Sequence, residues 1–462
     1  MQESDRYLWE VSEMKEQLLE IAEKAVKMAE KLGASQAEAY VGQSKAFAIE
    51  AENSAIRNAE EKQDAGIGIR TVINKKIGFA FVTTLSEDDV LEAVTRSFKL
   101  ANASIPDPDF VSLPSEDKSY STVKGLFDKN IAELPSEATA DMIIRIIKAS
   151  KEVLHGRDFA ISAGVQSSSG INAVVNSLGI SFSESRTSIL LYSSPVVRDD
   201  GDQTTSYDFQ LTRDLSEVDP EHVGRSAGEL TLNNLGPKII EGGEMPVVFA
   251  PLGVGTVIGY GFAAAVFAEE VQKGRSYITD AFGDKIASEQ LEIVDDGLLT
   301  GGLGSRTFDA EGYPSQRTSI IENGVLKGLL HNSYTANKDD VPNTGNASRP
   351  SYSGLPSIST SNFIITPGTG TLDDLVSEID RGVLCRNTAD RPNMTTGDLS
   401  AMLYEGFYIE KGEIKHPLKN TLVGINMRDL LQRISRVGSD TRTTLAMITP
   451  SIVVERATVT SG

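Results

Sequence analysis

Asn323-Gly324 constrains this chain more than any other pair of neighbours, because it is set between the short apolar runs 319–321 and 325–330. An Asn-Gly link needs φ > 0 at both positions, which turns two β-prone runs into an antiparallel hairpin. The stretch leading into it is dense in turn residues: Asp295-Asp296, Gly301-Gly302-Leu303-Gly304, then Ser305-Arg306-Thr307-Phe308-Asp309-Ala310-Glu311-Gly312. Polar, glycine-rich sequence between buried strands reads as a site-bearing loop held by a rigid sheet.

Earlier in the chain, Met14, Leu18, Ile21, Ala25, Met28 and Leu32 recur at helical spacing, with Ser12 expected as N-cap and Gly33 just past the end. Alternation over 37–51 predicts a strand. A strand pair at 66–73 and 77–83 follows, joined by Asn74-Lys75-Lys76. Ser86 with Asp89 resembles a capping box for a helix carrying Val90, Val94 and Phe98. The Pro-rich segment 105–119 is expected as an ordered excursion, and a helix is expected at 136–154. Four strands are then expected, at 160–167, 171–176, 180–185 and 188–197. Asp219-Pro220 opens another helix, which stops at Gly236-Pro237. Beyond it strands and turns dominate, with helices near 372–379 and 426–434. Asn323-Gly324 and Lys411-Gly412 tip two hairpins of similar design. The fold class is therefore α+β: an N-terminal domain (1–240) of helices on antiparallel strands, and a mainly β C-terminal domain (241–462) with a few helices.

A formal net charge of −21 opposes contact with phosphate backbones, and no run of Lys and Arg offsets it, so no direct nucleic-acid binding is expected. A single cysteine, Cys385, excludes an intrachain disulfide and suits a reducing cytoplasm. The run 257–268 is too short to span a bilayer, and MQESDRYLWE has no signal-peptide pattern, so no membrane association and a cytoplasmic location are expected.

Several motifs bear on chemistry. A strand, then Gly253-Val254-Gly255 and Gly259, then a helix approaches a dinucleotide fingerprint. No βαβ alternation follows, and close packing of strand on helix explains the glycines better. His155, His222, His331 and His416 form neither His-Glu-x-x-His nor His-Glu-x-x-x-His, the arrangements that set two imidazoles on one helical face. Cys385 follows Val383 and Leu384 and is expected to be buried and inert. Asp309 and Glu311, two apart, could share a strand face for acid–base work or a cation. Turn chemistry beside Gly312 and Pro314, with Arg306 or Arg317 as ion-pair partner, is the favoured alternative. No Gly-x-Ser-x-Gly elbow is present.

The segment SRTFDAEGYPSQRTSIIENGVLKGLLHNSYTA at 305–336 resembles the signature of the TldD/PmbA (TldE) family, known as modulators of DNA gyrase and as peptide-processing proteases. The similarity continues in Gly274-Arg275-Ser276, Val294-Asp295-Asp296, Asn343-Thr344-Gly345-Asn346, Thr396-Gly397-Asp398 and Gly424-Ile425-Asn426. Near the N-terminus, Gly66-Ile67-Gly68-Ile69-Arg70 resembles the family's Gly-x-Gly-x-Arg strand. The active TldD branch carries a His-Glu-x-x-x-His helix and a cysteine near its C-terminus. Read against it without gaps from Pro246 to Gly274, this chain has Gly259 and Ala264 at the histidine positions and Tyr260 at the glutamate, and 441–448 holds no cysteine. The resemblance thus implies the PmbA/TldE branch: a non-catalytic subunit, with no catalytic residue, metal or cofactor of its own. Its partner would be a TldD-like catalytic subunit and its ligand an unfolded peptide. Ser305, Arg306, Asp309, Glu311, Thr396 and Asp398 are the expected substrate-facing residues. Two rivals stay open: a stand-alone peptide-binding module or homodimer, and a metal-free hydrolase using the carboxylates or Cys385.

Overall fold

Two β-sheets, each built from its own half of the sequence, organise the molecule. The computed structural model describes residues 3–115, 119–199 and 201–462, so part of the expected 105–119 excursion lies outside the described residues. Helix α1 (Glu3–Lys31) starts well before Ser12, which is therefore inside the helix and not its cap. Nothing from Glu3 to Val11 breaks a helix, so the winding runs back past the polar residue that looked like a start signal. Leu18, Ala25 and Ala29 bury the helix against the sheet, and Gly33 takes φ 105° just past its end.

The first sheet pairs β1 (Gln36–Glu52) with β2 (Ala55–Ile73), and β2 with β3 (Lys76–Val82), all antiparallel. Asn74 and Lys75, both at positive φ, make the expected tight turn. Helix α2 (Glu87–Ala103) is capped by Ser86, whose Oγ accepts from the Asp89 N–H. A short helix α3 (Lys129–Ala132) precedes α4 (Ser136–Val153), which buries Ile143, Ile146 and Ile147. The four strands expected between 160 and 197 are two long ones, β4 (Asp158–Asn176) and β5 (Ser181–Asp199). Ser167 to Gly170, which look like a break, pair with Phe47 to Ser44 of β1 on one side and Ile189 to Arg186 of β5 on the other. Ladder hydrogen bonds on both edges hold small polar residues in a strand that isolated propensity would interrupt. Strands β6 (Asp202–Thr205) and β7 (Asp208–Thr212) complete the sheet. Helix α5 (Pro220–Asn233) is capped by Asp219 as expected.

The second sheet begins with β8 (Gly243–Phe249), β9 (Ile293–Asp296), β10 (Arg317–Glu322) and β11 (Val325–Leu326). Asn323 (φ 50°) and Gly324 (φ 75°) form the expected β10–β11 turn, and Lys411 and Gly412 tip the second hairpin. The C-terminal strand Met447–Ser461 lies centrally, between Phe363–Ile365 and β8. A large apolar core, including Phe249, Phe262, Phe363 and Leu430, fills this half. No helix among the described residues is long and apolar enough to cross a membrane.

Candidate functional site

The seam between the two sheets is lined by the segment that follows the glycine-rich turn 301–304. Tyr40 and Val174 of the first sheet, and Ile180 in the turn between β4 and β5, pack with Phe308, Ala310, Ala347 and Tyr352 of the second half. The glycines of the 66–70 strand are required here. A Cβ on Gly66 would meet the Tyr352 ring at 2.3 Å, and one on Gly68 the Tyr352 carbonyl at 2.0 Å. The Tyr352 hydroxyl then donates to Asp64 at 2.9 Å.

Charge is buried along the same seam. Arg70 pairs with Glu38 and, at 3.0 Å, with Glu311, while Arg349 also pairs with Glu38. The Glu311 Oε2 accepts from the Ser333 N–H at 2.9 Å. Asp309 shapes the turn itself: its Oδ1 accepts from Glu311 and Tyr313, each at 2.9 Å, and its Oδ2 from Ala347 at 3.0 Å. Burial and the nearby Glu311 charge push its carboxyl up to about 7, against the pull of Arg306 and the backbone donors. Arg306 acts on Asp309 through its charge, as expected, but Arg317 is no partner of either carboxylate. Glu311 pairs with Arg70, and Arg317 lies by Asp296 at 3.8 Å. Neither Arg70 nor Glu38 was singled out for this role, although Arg70 ends the Gly-x-Gly-x-Arg pattern; its partner lies 241 residues away.

Ser305, Arg306, Asp309 and Glu311 are all buried, with relative exposures of 0%, 8%, 1% and 1%. The Ser305 Oγ donates to the Leu299 carbonyl, and Arg306 donates to the Gly345 carbonyl at 3.3 Å. Thr396 and Asp398 instead occupy an exposed turn, where Asn426 donates to the Thr396 carbonyl and to Asp398, each at 2.9 Å. No described hydrogen bond or ion pair joins the two groups. Asp295, on β9, is buried with Asn346 (2.7 Å) and the Ser361 N–H (2.7 Å), and burial raises its carboxyl to about 6.

The helix after β8 answers the metal and nucleotide questions. A Cβ on Gly253 would meet the Cys385 carbonyl at 2.7 Å, so close packing fixes that glycine. Over Gly255–Tyr260 the backbone winds as a π-turn. Residues 259 and 264 are five apart, a spacing that a regular α-helix splays by about 140°, and the π-turn ends at Tyr260, before Ala264. Gly259 faces Met447 (3.5 Å to its would-be Cβ), and the Arg391 guanidinium lies 4.7 Å from the Tyr260 ring centroid. Glycine, tyrosine and alanine offer no imidazole or carboxylate, and a guanidinium beside them repels a divalent cation, so these residues do not fit a metal. Among the described residues, no cluster of three His, Cys, Asp or Glu side chains is placed to hold one elsewhere. Cys385 is wholly buried, and burial pushes its thiol up to about 12, which leaves it no thiolate for nucleophilic chemistry.

Family models for PmbA/TldA metallopeptidases match three stretches: domain 1 at residues 37–101, the central domain at 129–235 and the C-terminal domain at 242–461. A protein named metalloprotease TldD homolog from Buchnera aphidicola is 31% identical over 84% of this chain and 82% of its own length. Metalloprotease PmbA of Escherichia coli O157:H7 is 26% identical over 92% of each chain. The crystal structure of TldE from Thermococcus kodakarensis matches with a TM-score of 0.88 at 27% identity, covering 95% of this chain and 99% of that one. A Thermotoga maritima protein described as a modulator of a DNA gyrase matches with a TM-score of 0.84 at 24% identity, covering 95% and 99%, and shares the fold. With a relative above 30% identity across most of its length and matching models along nearly all of it, the chain belongs to the PmbA/TldD family.

Proposed function

We propose that this chain is the non-catalytic, TldE/PmbA-like subunit of a two-chain metallopeptidase that processes unfolded peptides, its partner being a TldD-like subunit that supplies the metal. One observation carries the proposal: the helical segment 251–263 and the residue after it present Gly259, Tyr260 and Ala264 where the family resemblance puts the active branch's His, Glu and His. A framework kept without its ligands has a use when another chain performs the chemistry. The two sheets would act as two domains meeting near residue 240. The buried residues Ser305, Arg306, Asp309 and Glu311 would hold the substrate surface in shape from below, with the exposed turn at Thr396 and Asp398 facing the peptide. Extended peptides are held by backbone hydrogen bonds to a sheet edge with little dependence on side-chain identity, which suits a processor of unfolded chains.

The test is co-purification with a TldD-like chain, followed by cleavage of a labelled unfolded peptide with and without chelator. Cleavage that needs the second chain and is abolished by chelator is the expected result. Chelator-insensitive cleavage by this chain alone overturns the proposal in favour of a carboxylate hydrolase. Peptide binding without cleavage in any combination favours a stand-alone binding module or homodimer.

A further inference from the structure

A second feature of the seam has no part in the helix that lost its ligands. Where the first sheet emerges from under the second half, a cavity of about 430 Å³ opens. Its floor is made of small strand residues, Ser168, Gly170 and Ser188, and its roof of Leu303 and the hairpin tip Leu445-Ala446. The floor residues share one face of β4 and β5, because alternate strand residues point the same way. Leu445 is 52% exposed, although it carries a large apolar side chain, and its φ of 54° places it in the left-handed region. A leucine in that conformation is strained and persists where surrounding structure holds it.

The end wall is Arg213, next after β7, with Arg186 of β5 beside it. Arg213 is 7% exposed and has no carboxylate in ion-pair range among the described residues. It donates to two backbone carbonyls, Leu126 at 3.0 Å and Leu303 at 2.6 Å, and its Nε, itself buried, has no hydrogen-bond partner among the described residues. Arg186 is already paired: its Nε and one terminal nitrogen both donate to Glu184. Two guanidinium groups face one carboxylate, leaving one unbalanced positive charge inside a chain whose net charge is −21. Buried charges are ordinarily paired, and an arginine fork matches a carboxylate in geometry as well as sign.

We propose that this cleft receives the C-terminal carboxylate of an extended peptide, with Arg213 as its anchor. The inference rests on the peptide-processing role proposed above and adds to it an end-specific docking point. The cavity volume suits the last few residues of a chain and exceeds what a small inorganic anion fills. The small floor lets a peptide backbone lie close to the sheet, and Leu303 and Leu445 offer apolar contact to its final side chain. An acidic side chain carries the same group, so the test separates the ligand's end from its charge.

The experiment measures binding of an N-terminally labelled, unstructured peptide by fluorescence anisotropy in three forms: free C-terminal acid, C-terminal amide, and an amide ending in Glu. The free acid is expected to bind at least about tenfold more tightly than the plain amide, the scale of one charge-assisted hydrogen-bond pair. The Glu-ended amide should bind like the plain amide. Arg213→Met should abolish the difference between acid and amide. Equal binding of acid and amide by the unsubstituted protein overturns the anchor while leaving the peptide role standing, and needs no variant to fold. A Glu-ended amide as tight as the acid overturns the end specificity. Absence of binding by all three forms overturns the anchor and the peptide role together.

Discussion

Arg70 illustrates what a single residue does in this fold. It lies 6% exposed between Glu38 and Glu311, carboxylates from opposite halves of the sequence, and so ties the first sheet to the signature-like segment. Removing one member of a buried ion network leaves the others uncompensated, which costs about 3–5 kcal/mol. Arg70→Met is therefore expected to lower the unfolding free energy by an amount in that range, read as a fall in the denaturant midpoint at unchanged slope, and adding Glu311→Gln should recover part of it. A midpoint unchanged in Arg70→Met would show that the network is not what joins the halves. Asp295 supplies a pH test. Its carboxyl is raised from 3.8 to about 6 by burial, so the native state holds the proton more tightly than the unfolded chain. The stability it contributes is full below the unfolded value and is lost as pH rises through about 6, a difference of ~3 kcal/mol. Asp295→Asn is expected to flatten the decline in unfolding free energy across that window; the now unpartnered Asn346 Oδ1 can accept from the new amide. Identical pH profiles for the two proteins would refute the assignment. Residue types were legible in sequence, since Arg70, Asp309 and Glu311 all stood out in motifs. Their pairing was not, because nothing local links positions 241 apart.

Elements were legible where local chemistry specifies them. The Asn323-Gly324 and Asn74-Lys75 turns, the Ser86 and Asp219 caps and the α4 register all follow from short-range rules. The misses are instructive. Ser12 looked like a start because serine caps well, yet helix-compatible residues before it carry the winding further. β4 and β5 looked broken at small polar residues that paired neighbours hold in line. The β10–β11 hairpin permits a direct test. Gly324 has φ 75°, and a Cβ there would also meet the Ala287 carbonyl at 2.3 Å. Gly324→Val is expected to destabilise by at least about 1–2 kcal/mol, read as a fall in melting temperature. An unchanged melting temperature would mean that this turn does not bear on the core.

For the whole molecule, the order of helices and strands and the mixed class were legible, because amphipathic periodicity survives in each half. The seam was not. Its formation depends on Gly66 and Gly68 making room for Tyr352, on Phe308 reaching Phe182, and on buried charge matched across more than half of the chain. The same holds for the cleft at Arg213, whose walls come from 168, 213, 303 and 445. The proposed role also belongs to this scale: a metallopeptidase-family framework that leaves metal chemistry to a partner chain. Elemental analysis of the chain purified alone, after equilibration with excess zinc and removal of the unbound ion, tests it most directly. Zinc far below one ion per chain is the expected result. About one tightly held zinc per chain, the stoichiometry of a protein zinc site, would contradict the account.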